Sequence, residues 1–246
     1  MEKDLDFLVI GVQKSATTSL DQYFRLHPSI AMPNKKKELH FFDKPENLSK
    51  GGVFYLPYFK NADTKKIWGE CTPIYCYWNG VIDNIYRYNP NIKLILVLRN
   101  PVERAFSHWN MEFTHEREHL SFYAALMEEE KRLAKMPHKQ HRVYSYLDRG
   151  KYVSQINNIW RVFDRKSVHI LKMDDLIESP QITLDKINTF LGVSNLSLKY
   201  SISAYAGKYN KQMSVKERDY LKSYFYKEIL TLEKLLNWDC SEWLEI

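Results

Sequence analysis

Cysteine is scarce in this chain of 246 residues: Cys71, Cys76 and Cys240 are the only three, and no C-x-x-C pair occurs among them. So small and odd a number excludes a disulfide framework and a cysteine-rich zinc cluster, and predicts free thiols in a reducing setting. Long apolar runs are missing as well. No stretch approaches the roughly 18 apolar residues of a membrane span, and Met1 to Asp6 is charged and leads into a short apolar segment with no signal-peptide h-region. A cytoplasmic protein with no membrane partner is the expectation. Internal repeats, low-complexity tracts and Pro/Gly/Ser-rich linkers are absent too, which predicts one domain over residues 1–246.

What is there is an ordinary globular composition, 44% hydrophobic, 14% aromatic and 27% charged, enough for a sizeable core. Lys and Arg number 36 against 30 Asp and Glu, a net charge of +6 that favours an anionic partner without naming it. Nucleic acid is disfavoured as that partner, because Lys35 to Lys37 is the only basic run and a nucleic-acid surface needs clustered cations beside exposed aromatics.

Two segments repeat one pattern. Asp6 to Gly11 is an apolar run ending in glycine, the mark of a buried parallel strand, and Ser15 to Leu26 follows as a helix that stops at His27-Pro28. Lys93 to Leu98 is a second such strand, followed by Arg99-Asn100-Pro101, where Asn suits a helix cap and Pro its first turn. Further elements are predicted at Ile30 to Met32 (a short apolar piece), Lys66 to Gly69 (strand), Gly80 to Tyr88 (helix), Tyr152 to Phe163 (helix), Val168 to Lys172 (strand) and Pro180 to Leu191 (helix closed by Gly192). Ser121 to Gln140, rich in Glu and Lys, reads as a solvent-facing helix and loop. Alternating strands and helices predict an α/β fold, a central parallel sheet with helices on both faces.

The first strand–helix turn, Gly11-Val12-Gln13-Lys14-Ser15-Ala16-Thr17-Thr18-Ser19, brings backbone N–H groups, a helix dipole, hydroxyls and a lysine to one spot, as an anion site requires. Read alone, the hydroxyls also suit a helix cap. The nucleotide-kinase P-loop needs its lysine six residues after the first glycine; here Lys14 comes three after Gly11.

Lysine in that early position resembles the sulfotransferases that use 3′-phosphoadenosine 5′-phosphosulfate (PAPS), which have a P-loop-NTPase-like fold. The resemblance implies that Lys14, Ser15, Ala16, Thr17, Thr18 and Ser19 hold the 5′-phosphosulfate, with Lys14 beside the bridging oxygen. Arg99, with Ser107 eight residues later, resembles the same family's 3′-phosphate site. A guanidinium fork at a strand end and a hydroxyl two turns into a helix suit that task. Tyr205-Ala206-Gly207-Lys208 looks like the family's late cofactor-covering loop, which assigns Gly207 and Lys208 to the nucleotide.

Lys37-Glu38-Leu39-His40-Phe41-Phe42-Asp43 and Gly69-Glu70-Cys71-Thr72-Pro73-Ile74-Tyr75 resemble the heparan type of carbohydrate sulfotransferase. The resemblance makes Glu38 the catalytic base and places Thr72 and Tyr75 at the acceptor cleft. His40 competes with Glu38 for the role of base, or orients it or the acceptor. Cys71 stands where several of those enzymes carry lysine, which argues away from a polyanionic glycan and, with no N-terminal anchor, towards a small metabolite, as in natural-product tailoring. The implied reaction moves a sulfuryl group to a hydroxyl or amine of a small-molecule or glycan acceptor and releases adenosine 3′,5′-bisphosphate (PAP). It requires no metal, and the sequence carries no metal-ligand pattern. Oligomeric state is left open. Two alternatives stand beside it: a nucleotide or small-molecule kinase with a variant P-loop, which lacks here an evident acidic Mg²⁺ ligand, and a non-catalytic PAP-binding protein, which leaves Glu38 without a task.

Overall fold

The computed structural model describes residues 3–34, 36–60, 62–197 and 211–245. In chain order the elements are β1 (Phe7–Gly11), α1 (Thr17–Leu26), β2 (Ile30–Ala31), α2 (Pro45–Leu48), β3 (Ile67–Cys71), α3 (Val81–Tyr88), β4 (Lys93–Leu98) and α4 (Pro101–Thr114). There follow α5 (Phe122–Leu133), α6 (Tyr152–Trp160), β5 (Val168–Lys172), α7 (Met173–Glu178), α8 (Pro180–Leu191), α9 (Val215–Leu236) and α10 (Ser241–Glu245). The chain divides into two compact units, one from residues 1–98 and 159–206, the other from 99–158 and 207–246.

The first unit holds a five-stranded sheet in the order β2-β3-β1-β4-β5, parallel at every pairing. Successive residues of β1 and of β4 from Leu94 onward are all buried, so both faces of these central strands are covered. One face carries Phe7, Val9, Ile95 and Val97, which pack with Leu20, Tyr23 and Phe24 of α1 and with Leu184, Ile187 and Leu191 of α8. The connection from β1 runs towards β2 at one edge of the sheet and that from β4 towards β5 at the other, so the switch point lies at the carboxyl ends of neighbouring β1 and β4, where α/β sheets bind ligands. Close packing there demands Gly11, since a β-carbon would collide with Cys76 Sγ and lie 2.8 Å from Leu96 Cδ1. Gly192 closes α8 at φ +80° as expected.

The second unit packs aromatic rings of α4 and α5, with Phe106 and Phe122 centroids 5.2 Å apart and Trp109 and Phe122 5.3 Å apart. A Ser214–Glu217 capping box starts α9, and Arg218 pairs with Glu103 of α4 at 2.7 Å. The expected solvent-facing helix at 121–140 is corrected here: α5 buries Phe122, Ala125, Leu126, Glu129 and Leu133. Glu129 accepts from Leu147 N–H at 2.7 Å and Asp148 N–H at 2.8 Å, and burial pushes its carboxyl up to about 7. All three cysteines are buried free thiols. Among the described residues no helix is long and apolar enough to cross a membrane.

Candidate active site

After β1 the backbone turns through two left-handed residues, Lys14 at φ 76° and Ala16 at φ 54°. Left-handed non-glycine residues cost free energy and recur where a loop is shaped for a ligand. The helix therefore starts at Thr17, two residues later than the sequence pattern suggests, and its N-cap is Ala16, which has no oxygen with which to cap. The N–H groups of residues 15–19 find no acceptor among the described residues. The hydroxyls of Ser15 and Ser19 are buried and equally lack a partner there. A run of unpartnered donors around a helix N-terminus fits a phosphate or sulfate oxygen. The capping alternative fails on the same observation, because these hydroxyls cap nothing.

Over this turn lies Lys37, whose Nζ donates to Thr17 Oγ1 and Thr18 Oγ1, both at 3.1 Å, and stands 3.5 Å from Glu38 Oε1. Glu38 Oε2 is 3.7 Å from His40 Nε2, and His40 Nδ1 is 3.0 Å from Asp43 Oδ2. The Asp43 carboxylate is buried, whereas the Glu38 side chain is 42% exposed and so reachable from outside. His40 itself is left-handed, at φ 57°. The result is a line from a half-exposed carboxylate through an imidazole to a buried carboxylate, beside the unpartnered donors of the β1–α1 turn.

Thr72 and Tyr75 are fully buried. Thr72 Oγ1 donates to Glu70 Oε1 at 2.5 Å and Tyr75 OH to the same oxygen at 2.7 Å, while Tyr55 OH reaches Glu70 Oε2 at 2.7 Å. Neither hydroxyl expected at the acceptor cleft faces open space. Beside them, Cys71 Sγ donates to Thr17 O at 3.5 Å, and burial pushes its thiol up to about 12 against the pull of Lys37, so it stays protonated under the anion turn.

In the second unit, Asn100 caps α4 by accepting from Val102 N–H at 2.9 Å, Pro101 takes the first turn, and Tyr152 OH donates to Arg99 O at 2.8 Å. Arg99 follows directly on the end of β4, and Ser107 is a buried residue of α4. Gly207 and Lys208 lie outside the described residues. Among the described residues no group of His, Cys, Asp and Glu side chains gathers as a metal site requires.

Residues 4–227 match the model of the sulfotransferase domain. The chain belongs to the sulfotransferase domain family. A sulfotransferase from Alicyclobacillus acidocaldarius superposes with a TM-score of 0.84 at 28% identity, covering 98% of this chain and 99% of that one. Mouse heparan sulfate glucosamine 3-O-sulfotransferase 5 is 27% identical over 198 residues, 79% of this chain and 55% of the relative. This sulfotransferase domain thus spans about half the length of that curated relative. A mouse sulfotransferase complexed with PAP shares the fold, at a TM-score of 0.56 and 12% identity over 92% of this chain and 85% of that one.

Three residues that bear on this candidate site were not singled out from the sequence. Lys37 reads there as one of a basic run, yet it bridges the anion turn to Glu38. Asp43 stands three residues after His40, a spacing that local pairing could have flagged. Glu70 lies within the Gly69 to Tyr75 segment that carries the family resemblance, yet the resemblance assigns it no role there, and its burial in β3 is what sets its contacts.

Proposed function

We propose that this sulfotransferase domain transfers the sulfuryl group of PAPS to a hydroxyl or amine of a glycan or small-molecule acceptor and releases PAP. The observation that carries the reading is the meeting of two features: Lys37 touches the hydroxyls of the anion turn at 3.1 Å and stands 3.5 Å from Glu38. A cradle of unpartnered donors and a candidate base therefore adjoin, as group transfer between a bound anion and an incoming nucleophile requires. The glycan option draws on relatives named for heparan sulfate.

Lys14 and the donors of residues 15–19 hold the 5′-phosphosulfate, while Arg99 and Ser107, with Gly207 and Lys208, hold the 3′-phosphate end. Glu38 takes the acceptor proton as the acceptor oxygen bonds to sulfur. The bond from sulfur to the bridging oxygen breaks, and PAP leaves with that oxygen's charge, which Lys14 neutralises. His40, held by Asp43, orients Glu38. Thr72 and Tyr75 serve this site from beneath it.

The test is radiolabelled PAPS offered with desulfated heparan oligosaccharides, simple phenols and primary amines, with γ-labelled ATP as the parallel donor. Label should pass from PAPS to one acceptor class, with PAP released in equal amount. Label moving from ATP instead would restore the kinase alternative. PAP binding measured by calorimetry, with no transfer to any class, would leave a binder and sink the enzyme.

A further inference from the structure

Residues 38–42 contain no helix or strand, so the groups that make up the proposed base lie on a stretch without a backbone ladder. Side chains hold it in place. Phe41 N–H donates to Tyr75 OH at 2.8 Å, Asn47 Nδ2 donates to His40 O at 2.9 Å, and Asn84 Nδ2 donates to Phe42 O at 3.1 Å. The first of these bonds is buried and adjoins the left-handed residue His40.

Tyr75 has one hydroxyl proton, and its direction is decided by Glu70. Phe41 N–H can only donate, so the Tyr75 oxygen accepts from it and the hydroxyl proton goes to Glu70 Oε1, 2.7 Å away. Ionised Glu70, held by hydroxyls against a burial that raises its carboxyl, takes that proton and leaves the Tyr75 lone pairs to Phe41 N–H. Burying a carboxylate as completely as Glu70 is costly, and three hydroxyl donors offset the cost. Packing alone would be served better by an apolar residue.

We propose that Glu70 is a positioning residue for the transfer reaction: by fixing the Tyr75 hydroxyl it anchors Phe41 N–H, and so holds the turn that sets His40 between Glu38 and Asp43. The inference rests on the function proposed above. Tyr55 supplies the control, because its hydroxyl binds the other oxygen of the same carboxylate and has no bond to residues 38–43.

Tyr75→Phe and Tyr55→Phe are compared with wild type in single-turnover transfer from radiolabelled PAPS to the acceptor most readily labelled above, in PAP binding by calorimetry, and in amide exchange at Phe41 by NMR. Tyr75→Phe should slow transfer by about 10²-fold, the scale of a misplaced catalytic group, and leave the PAP Kd unchanged. Its Phe41 amide should exchange at least roughly tenfold faster. Tyr55→Phe, which removes an equal hydroxyl from the same cage, should stay near wild type in all three. Equal transfer rates in the two variants would overturn the inference and leave the sulfotransferase reading intact, whereas an inactive wild type would sink both. Should Tyr75→Phe not fold, the wild-type spectrum still decides: a Phe41 amide that exchanges as fast as an unprotected loop amide excludes the anchor.

Discussion

After β1 the chain enters α1 through Ala16, a left-handed residue with no capping oxygen, and the N–H groups of residues 15–19 have no acceptor among the described residues. After β4 it enters α4 through Asn100, whose side chain accepts from Val102 N–H at 2.9 Å and is itself tied to Trp243 O at 3.2 Å, with Pro101 removing one donor altogether. Both are strand–turn–helix junctions at the end of a central strand, and the difference is in how the helix start is completed. A start that is capped internally is stable without help. One that is left uncapped, on a turn with two left-handed residues and beside Lys37, leaves its donors available to an anion at a cost in stability of the free protein. The two junctions thus differ in what completes the helix start: a side chain of the turn itself at α4, and nothing among the described residues at α1.

The sharpest way to break that comparison is Lys14→Ala. If the first junction acts on charge that develops during transfer, kcat should fall by about 10²–10³-fold, the effect of removing one preorganised donor, with a smaller loss of PAP affinity. Turnover unchanged at saturating PAPS would reduce the turn to a passive cradle.

Glu38→Gln comes next. It keeps the shape of the side chain but cannot take a proton at neutral pH, so turnover should drop by ~10²-fold or more with PAP binding intact. His40→Ala should cost less, since the histidine works through Glu38; the reverse ranking would make His40 the base.

At the second junction, Arg99→Ala should weaken PAP binding by roughly 1.5–3 kcal/mol, the scale of a charged hydrogen bond. Adenosine 5′-phosphate, which lacks the 3′-phosphate, should bind both forms alike in calorimetry. Equal losses for the two nucleotides would take the 3′-phosphate away from Arg99.

The smallest effect belongs to Asn100→Ala, which should lower the unfolding free energy by about 1 kcal/mol through loss of the cap. PAP affinity, measured on the same samples below the lowered Tm, should not change. A large loss of affinity instead would show that the capped junction also depends on its cap to bind.

Much of the sheet was legible because its signals are local. β4, β5 and α8 fall on the residues expected, since apolar runs bounded by Asn-Pro, by polar turns or by Gly192 specify their own ends. The helix of 22 residues from Val215 to Leu236 was not anticipated. Its buried Leu221, Phe225, Ile229 and Leu232 are diluted by lysines and tyrosines, although Ser214 and Glu217 carry the capping-box spacing that announces a helix start. Burial of Glu129 was equally hidden, because a carboxylate in a charged helix reads as solvated until the N–H groups of Leu147 and Asp148 come to it from a distant part of the chain.

The sequence by itself determined the alternation of strands and helices that builds a parallel α/β sheet, because apolar runs and turn residues act locally, and it singled out the turn after β1 with Lys14, and Glu38 and His40, as candidates for the chemistry. Only the tertiary structure decided that Lys37 bridges the turn to Glu38, that Asp43 lies behind His40, and that Thr72 and Tyr75 turn inward to Glu70. The reason is directional: a residue type says which hydrogen bonds a side chain can make, but packing β3 beside β1 decides where its hydroxyls point.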